Sequence, residues 1–177
     1  MKKQIKFLFL IIGMINFTFA QTKSVFDISR NGTLEDIKSL YDNNPNDINS
    51  FDQNKNSTLV LACYKGNEEV AFFLIDHVKD LNYNSGIGSA LMAAVMSGKI
   101  EIVKKLIEAK ANLNLFDTQG KTALIYATFF NKNEIAKVLM NAGANTRIKD
   151  IDSRVALDYA NFNKNTELII LLNKQTN

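Results

Sequence analysis

Apolar residues along most of the chain recur every three or four positions, in short segments separated by polar turns. Leu124 and Ala127, for example, precede one such turn, and Ile135 and Leu139 follow it. This spacing places each set on one face of a helix and predicts pairs of helices of about ten residues each. Helices that short are marginal on their own in water, so we expect each pair to be stabilised by packing against its neighbours.

The helical pattern itself repeats along the chain. Four segments align without a gap at spacings of 32 or 33 residues, and a more divergent copy around Glu35 precedes them. Columns of identical residues run through the four: Leu59, Leu91, Leu124 and Leu157; Ala62, Ala94, Ala127 and Ala160; Glu69, Glu101, Glu134 and Glu167. A unit of this length that buries its apolar face on the next unit predicts an all-α solenoid of stacked helix-turn-helix repeats.

The register of these repeats divides the chain into six segments. We predict a signal peptide over 1–20, an N-terminal capping repeat over 21–51, repeats over 52–84, 85–116 and 117–149, and a C-terminal capping repeat over 150–177. The stretches between helical pairs, such as NLNLFDTQGK, are rich in Asn, Asp and Gly. This composition predicts extended turns rather than flexible linkers.

These repeats resemble those of the ankyrin-repeat family. The segment FDTQGKTALIYATFFNKNEIAKVLMNAGAN has the family's Asp, Gly, Thr-x-Leu, Ala, Glu-Ile and Gly-Ala in order, and the resemblance extends over residues 24–175. It implies a solenoid whose first helices line a concave face, with the inter-repeat turns projecting beside it as fingers. The family's Thr-Pro-Leu-His is replaced here by Ser-Thr-Leu-Val, Ser-Ala-Leu-Met, Thr-Ala-Leu-Ile and Val-Ala-Leu-Asp. Without that Pro and His we expect looser coupling between repeats, weakest at Val155.

The resemblance also implies a surface that contacts a partner protein, formed by residues just before each helix-helix turn and by residues on the fingers. At those positions this sequence has Arg30, Tyr64, Met96, Phe129 and Phe162, with Lys65 and Phe130 in the adjoining column and Phe51 and Phe116 on the fingers. Aromatic residues and Met beside Lys and Arg have the composition of a binding hot spot. We expect Lys65, Lys121 and Arg154 to orient the partner. Alternatively, these side chains pack against the fingers of their own molecule.

The charge of the chain gives no general argument for an anionic partner. The net charge is +3, but Lys2, Lys3 and Lys6 lie in the first twenty residues, which contain no acid. Without those three, 21 − 3 leaves 18 basic residues against 18 acidic ones. We therefore expect no nucleic acid partner, because phosphate binding depends on an excess of Lys and Arg.

The first twenty residues, MKKQIKFLFLIIGMINFTFA, have the features of a secretory signal. A Lys-rich start precedes an apolar run from Phe7 to Ile15, and small residues occupy Thr18 and Ala20. The apolar run is too short to span a bilayer, which favours cleavage before Gln21 and no membrane insertion afterwards. We expect a bacterial protein of the periplasm or the exterior. The alternative is an uncleaved anchor extended through Phe19.

Candidate catalytic chemistry is sparse. His77 is the only His, and Cys63, the only Cys, lies among apolar neighbours. We expect no cofactor, no metal site and no enzymatic activity, and a monomeric binding protein, for instance an inhibitor of a toxin or an accessory to a periplasmic enzyme. Two alternatives remain open: a hydrolase that uses Asp152 and Asp158, and a structural protein that self-associates weakly through Ile170 and Phe72.

Overall fold

The computed structural model describes residues 23–176, so the predicted signal peptide lies outside the described residues, as do Gln21, Thr22 and Asn177. Within that range the chain forms ten α-helices and one short 3-10 helix over Asp47–Asn49. The α-helices are α1 Val25–Asn31, α2 Leu34–Asn43, α3 Thr58–Lys65, α4 Glu68–His77, α5 Ala90–Ser97, α6 Ile100–Glu108, α7 Ala123–Phe129, α8 Asn133–Asn141, α9 Ala156–Phe162 and α10 Thr166–Thr176.

The helices form five antiparallel pairs stacked in two rows. The first helices of the pairs (α1, α3, α5, α7 and α9) pack side by side in one row, and the second helices (α2, α4, α6, α8 and α10) form the other. The Ala column lies fully buried between neighbouring first helices, where the small side chain permits close approach. The Leu column is buried as well, except Leu157, which is half-buried in the last pair. The prediction of an all-α solenoid is confirmed.

The first helices of the middle repeats begin at hydroxyl side chains. Ser57, Ser89 and Thr122 each accept a hydrogen bond from a backbone N–H in the first turn of the helix that follows. Val155 occupies this position in the last repeat and has no hydroxyl. There the Asp158 carboxylate accepts the backbone N–H of Val155 at 2.8 Å instead, so α9 also starts with a satisfied donor.

Hydrogen bonds join neighbouring repeats despite the missing Pro and His. Thr58 donates its hydroxyl to the Ile48 carbonyl across the first interface. At three interfaces an Asn side-chain oxygen accepts a backbone N–H from the next repeat: Asn49 from Lys79 at 2.8 Å, Asn82 from Asn112 at 2.7 Å, and Asn114 from Asn145 at 2.8 Å. Asn side chains therefore supply bonds between repeats, where the missing Pro and His predicted looser coupling.

The interface next to Val155 has bonds of the same kind. Asn163 donates its side-chain amide to the carbonyls of Thr128 and Phe129, both at 3.0 Å. Asn165 donates to the side-chain oxygens of Asn131 and Asn133, both at 2.8 Å. The sequence predicts the weakest coupling between repeats at Val155. The interface there nevertheless keeps its hydrogen bonds.

Three of the four turns between repeats in the described residues are closed by an acidic side chain, and Asn84 accepts the N–H of Gly86 in the fourth. Asp117 accepts the backbone N–H groups of Gln119 and Lys121, both at 2.9 Å, and Asp52 and Asp150 do the same in their own turns. Gly120, at the tip of one turn, has φ +74°, and a Cβ there would lie 2.8 Å from the Asp150 Cα, so glycine is required on both counts. We call these turns fingers; they comprise residues 51–57, 83–89, 116–122 and 149–155.

Two side chains proposed for self-association differ in exposure. Phe72 of α4 packs half-buried against the core, so its prediction as an exposed apolar residue is wrong. Ile170 of α10 is 50% exposed, so it remains available for the weak self-association considered above. Across residues 23–176, none of the helices combines the length and apolar character needed to cross a membrane.

Candidate protein-binding surface

Exposed large apolar side chains in the described residues concentrate on the first helices and the fingers. Those at the ends of first helices are Tyr64, Met96, Phe129, Phe130 and Phe162, and those on the fingers are Phe51, Ile87, Phe116 and Ile151. The remaining exposed one is Ile170, on a second helix. We call the first nine residues the groove surface. Apolar exposure confined to one side of a solenoid is typical of an interaction site rather than of general surface composition.

The N-terminal half of the groove surface contains a depression of about 310 Å³ between the second and third repeats. Its apolar lining comes from α3, α5 and the finger between them, and two cations complete it. The lining residues used below are Val60, Tyr64, Ile87, Met92 and Met96, with Arg30 and Lys65. We call this depression the N-terminal pocket. Ile87, Val60 and Met92 belong to it although the repeat register did not point to them.

Arg30 is held at this pocket by an ion pair with the next finger. Its guanidinium lies 3.0 Å from the Asp52 carboxylate, whose side chain is only 7% exposed. Burial raises the pKa of Asp52, but hydrogen bonds from Asn56 and Asn54 and the charge of Arg30 outweigh it, so this pKa lies below its usual value. Asp52 therefore remains ionised at neutral pH and fixes the position of the guanidinium.

The C-terminal half of the groove surface is an aromatic cluster. The Phe129 ring lies edge-on to Phe130, with centroids 4.9 Å apart, and edge-on to Tyr159 of the next repeat at 5.6 Å. Phe130 also stacks on Tyr126, one turn earlier in its own helix, at 6.0 Å. These rings therefore pack in part within the molecule, against residues of α7 and α9 rather than against the fingers of the stated alternative. Even so, Phe129 and Phe130 remain 43% and 42% exposed, and Phe162, beside them, is 82% exposed.

Two tyrosines anchor this cluster to the fingers. Tyr126 donates its hydroxyl to Asp117 Oδ2 at 2.6 Å, and Tyr159 donates to Asp150 Oδ2. Burial and these bonds to carboxylates raise the pKa of both hydroxyls, so both tyrosines are neutral donors at physiological pH. The repeat register did not mark either Tyr as part of the site. The shared spacing of nine residues between Asp and Tyr in the last two repeats was the available signal.

The cations expected to orient a partner are not equally available. Lys65 is exposed, and Arg154 is exposed with its guanidinium carbon 6.0 Å from the centroid of the Tyr159 ring. The Lys121 side chain is only 13% exposed, donates to Gln119 Oε1 at 2.8 Å and lies 4.0 Å from the buried Asp150 carboxylate. Lys121 therefore stabilises the fingers and is not positioned to contact a partner.

The finger residues Phe51 and Phe116 are both exposed, but in different surroundings. The Phe51 ring lies 4.4 Å from the ring of Tyr83 on the neighbouring finger, so it is supported from one side. Asn84 donates its side-chain amide to the Phe116 carbonyl at 2.9 Å, which holds the backbone of that finger while the ring projects outward. Both rings are available to a second molecule.

The residues considered for catalysis make contacts within the fold. Asp158 accepts the N–H of Val155 at the start of α9, and Asp152 lies 3.8 Å from Arg154 on an exposed finger. His77 stacks on Phe73 with ring centroids 4.1 Å apart, and burial raises the pKa of the Cys63 thiol. In the part of the chain that the structure describes, no group of three His, Cys, Asp or Glu side chains is placed to hold a metal ion.

Five stacked helical pairs with hydrogen-bonded fingers and one apolar face define a helical-repeat interaction module. The chain belongs to the ankyrin-repeat family, since the family model for ankyrin repeats in three copies matches residues 25–117 and 91–177. Ankyrin repeats generally mediate protein–protein interaction.

Two relatives match this chain over part of its length. The chain is similar to the human ankyrin repeat and KH domain-containing protein 1, with 37% identity over 75 residues, which is 42% of this chain and 3% of that protein. It is also similar to the rat ankyrin repeat and SAM domain-containing protein 6, with 29% identity over 101 residues, which is 56% of this chain and 11% of that protein. The chain thus spans a small fraction of the length of these relatives.

Proposed function

We propose that this chain is an exported, non-catalytic protein that binds a partner protein through the groove surface. The observation that carries the proposal is the segregation of exposed apolar residues: nearly all of them in residues 23–176 lie on the first helices and fingers, and the second helices have mainly charged and polar exposed residues. A surface of this composition gains free energy when a second molecule removes it from water.

The groove surface is also ordered before binding. Phe129 and Phe130 are each held by two ring contacts, and the fingers beside them are tied by hydrogen bonds to their neighbours, as where Thr118 donates its N–H to the Gly86 carbonyl at 2.7 Å. Side chains that are already positioned lose little conformational entropy on binding. Rigid-surface binding is therefore the mechanism that this arrangement favours.

The proposed export rests on the sequence of residues 1–20, with its Lys-rich start, short apolar run and small residues before Gln21. A bacterial periplasmic or secreted location follows from that signal. In such a location an inhibitor of a toxin, or an accessory to a periplasmic enzyme, is a role in which a rigid binding surface suffices without chemistry of its own.

A pull-down tests the proposal. The full chain is expressed in a Gram-negative host, recovered as a bait that should begin at Gln21, and incubated with a periplasmic extract of its native cell. We expect the double substitution Phe129→Ala and Phe162→Ala to reduce recovery of a specific partner by about tenfold or more, because it removes two exposed aromatic side chains from the C-terminal half of the surface.

The matched control is Ile170→Ala, which truncates a comparably exposed apolar side chain outside the groove surface. It should leave recovery of the same partner unchanged. Circular dichroism on each variant confirms that the helical content is retained. Equal recovery of every partner by wild type and the double variant would refute binding through this surface.

A further inference from the structure

The charged side chains that line the N-terminal pocket are both positive. Arg30 and Lys65 both line the pocket, and none of the residues that line it is Asp or Glu. Asp52, the partner of Arg30, is nearly buried, while the Arg30 side chain remains 30% exposed. Arg30 therefore lines the pocket, whereas its counter-ion Asp52 does not.

Lys65 adds a second positive charge at the rim. Its side chain is exposed, and no ion pair or hydrogen bond involves its ammonium group among residues 23–176. An acidic group of a second molecule can approach Lys65 without breaking an existing pair. By contrast, Lys99 and Lys105 lie 3.6 Å and 3.0 Å from carboxylates of their own molecule.

This positive rim is a local feature. The described residues have equal numbers of acidic and basic side chains, so the chain as a whole does not attract anions. The second depression on the groove surface, beside Phe129 and Phe162, includes Asp158 as well as Arg154 and so presents both signs. The N-terminal pocket therefore differs from that depression in having positive charge alone.

The floor of the pocket suits an apolar side chain. Met92 and Met96 have unbranched, adaptable side chains, and Val60, Tyr64 and Ile87 supply further apolar surface. A volume of about 310 Å³ lies at the small end of the range for binding pockets, which fits a single large side chain better than a helix. The size of the pocket and the positive side chains at its rim together indicate the kind of segment that would fill it.

We propose that the partner inserts an acidic, apolar segment here: a large apolar side chain fills the N-terminal pocket, and an Asp or Glu next to it in sequence pairs with Lys65 and Arg30. This inference rests on the proposed function and specifies the chemistry of its partner. Because the charges lie at the rim, they raise the association rate and make binding sensitive to salt.

Selection from a random peptide library tests the inference. Phage-displayed peptides of about twelve residues are selected on the immobilised chain after signal removal, and enriched peptides are synthesised and measured by fluorescence anisotropy. We expect enriched sequences to place Asp or Glu beside Leu, Met, Phe or Trp. Affinity should fall about tenfold for Lys65→Glu and at least as much for Met96→Arg, and it should weaken between about 50 mM and 500 mM NaCl.

The matched control for charge reversal is Lys38→Glu, because Lys38 is an exposed lysine on α2 that does not line the pocket. It should change the affinity of the same peptides less than about twofold. Thermal unfolding of Lys65→Glu and Met96→Arg confirms that both variants are folded.

Several outcomes separate this inference from the proposed function. Peptides that are apolar without acidic residues, and that lose affinity with Phe129→Ala and Phe162→Ala but not with Lys65→Glu, would overturn the inference and leave the groove surface as a binding site. A library that yields no enriched peptide, or only basic ones, would also overturn it. Acidic peptides that depend on Lys65, together with a pull-down unaffected by the double substitution, would retain the pocket as a site for acidic peptides and refute the proposed binding of a partner through the whole groove surface.

Discussion

Phe129 and Phe130 stand side by side in the sequence, but the fold gives them different neighbours. Phe129 contacts Tyr159 of the next repeat and so helps to join two repeats, whereas Phe130 stacks on Tyr126 of its own helix. In the sequence Phe130 has no aromatic counterpart in the other repeats, where Lys65, Ser97 and Asn163 align with it. The stacking on Tyr126 does not by itself account for the Phe, because Tyr159 aligns with Tyr126 in the last repeat and Asn163 stands there in place of Phe130.

The buried carboxylate of Asp150 is the most consequential single group under the aromatic cluster. Burial raises its pKa, but the hydroxyl of Tyr159, the N–H groups of Arg154 and Asp152 and the charge of Lys121 outweigh that effect, so the pKa lies below its usual value. A carboxylate with a depressed pKa stabilises the fold above the pKa of the unfolded chain. That contribution is lost as the pH falls from about 4 through the lower pKa of the folded state.

Tyr159→Phe tests this contribution. The variant removes one hydrogen bond to a buried charge, so we expect the free energy of unfolding at pH 7 to fall by about 1.5–3 kcal/mol. At an acidic pH below about 4 the charge of Asp150 is progressively lost, so the difference from wild type should shrink. Urea unfolding followed by circular dichroism at both pH values measures it.

Tyr83→Phe is the control, because the Tyr83 hydroxyl donates to a backbone carbonyl, that of Lys55, at 3.0 Å rather than to a carboxylate. Its effect should be smaller and independent of pH. A loss for Tyr159→Phe that is the same at both pH values would contradict the role assigned to the Asp150 charge.

At the scale of elements, Asn side chains join neighbouring repeats by hydrogen bonds. The helices alone would join them only by apolar contacts. Asn49, Asn82 and Asn114 occupy equivalent places and accept N–H groups about thirty residues further along the chain. In a solenoid each repeat contacts only its neighbours, so stability depends on such interface contacts as well as on each repeat. Abundant Asn in the sequence predicts turns. The structure shows that Asn side chains also join neighbouring repeats.

Asn114→Ala measures one interface of this kind. It leaves the Asn145 N–H without its protein acceptor, and we expect the free energy of unfolding to fall by about 0.5–1.5 kcal/mol. Asn141→Ala, at the exposed end of α8, is the control and should have an effect below about 0.5 kcal/mol. Guanidinium unfolding provides both values. Equal effects for the two substitutions would show that the bond between repeats adds nothing to coupling.

At the scale of the whole molecule, the apolar surface is divided between one large site and one isolated residue. The groove surface extends over four repeats, whereas Ile170 stands alone on α10 and Phe72 is half-buried. A stable interface between copies buries about 1,200–2,000 Å² in total, far more than one half-exposed Ile supplies. Ile170 and Phe72 therefore supply too little apolar surface for a stable dimer, and we expect a monomer.

Light scattering tests this expectation on the chain after signal removal. Wild type and Ile170→Lys, which restores the polar residue found at this position as Lys104 and Lys137 in earlier repeats, should both have the mass of a monomer up to high concentration. A wild-type dimer that becomes a monomer in Ile170→Lys would instead support the self-associating structural protein.

The sequence by itself determined the fold class, the repeat length and the side of the solenoid where exposed aromatic residues lie. Helical periodicity fixes which face of a helix is apolar, and a repeat near 33 residues requires neighbouring copies to bury that face. Tyr64, Met96, Phe129 and Phe162 are exposed at the ends of first helices, as the register predicts. Their role in binding stays a prediction.

Only the tertiary structure decided which side chains remain available on that side. Lys121 is covered because the next finger brings the Asp150 carboxylate to it, and Tyr126 and Tyr159 join the aromatic cluster through their own fingers. The N-terminal pocket likewise depends on Ile87 approaching two helices of different repeats. Such contacts join residues far apart in the chain, and their geometry follows from the stacking of repeats, which no local spacing encodes.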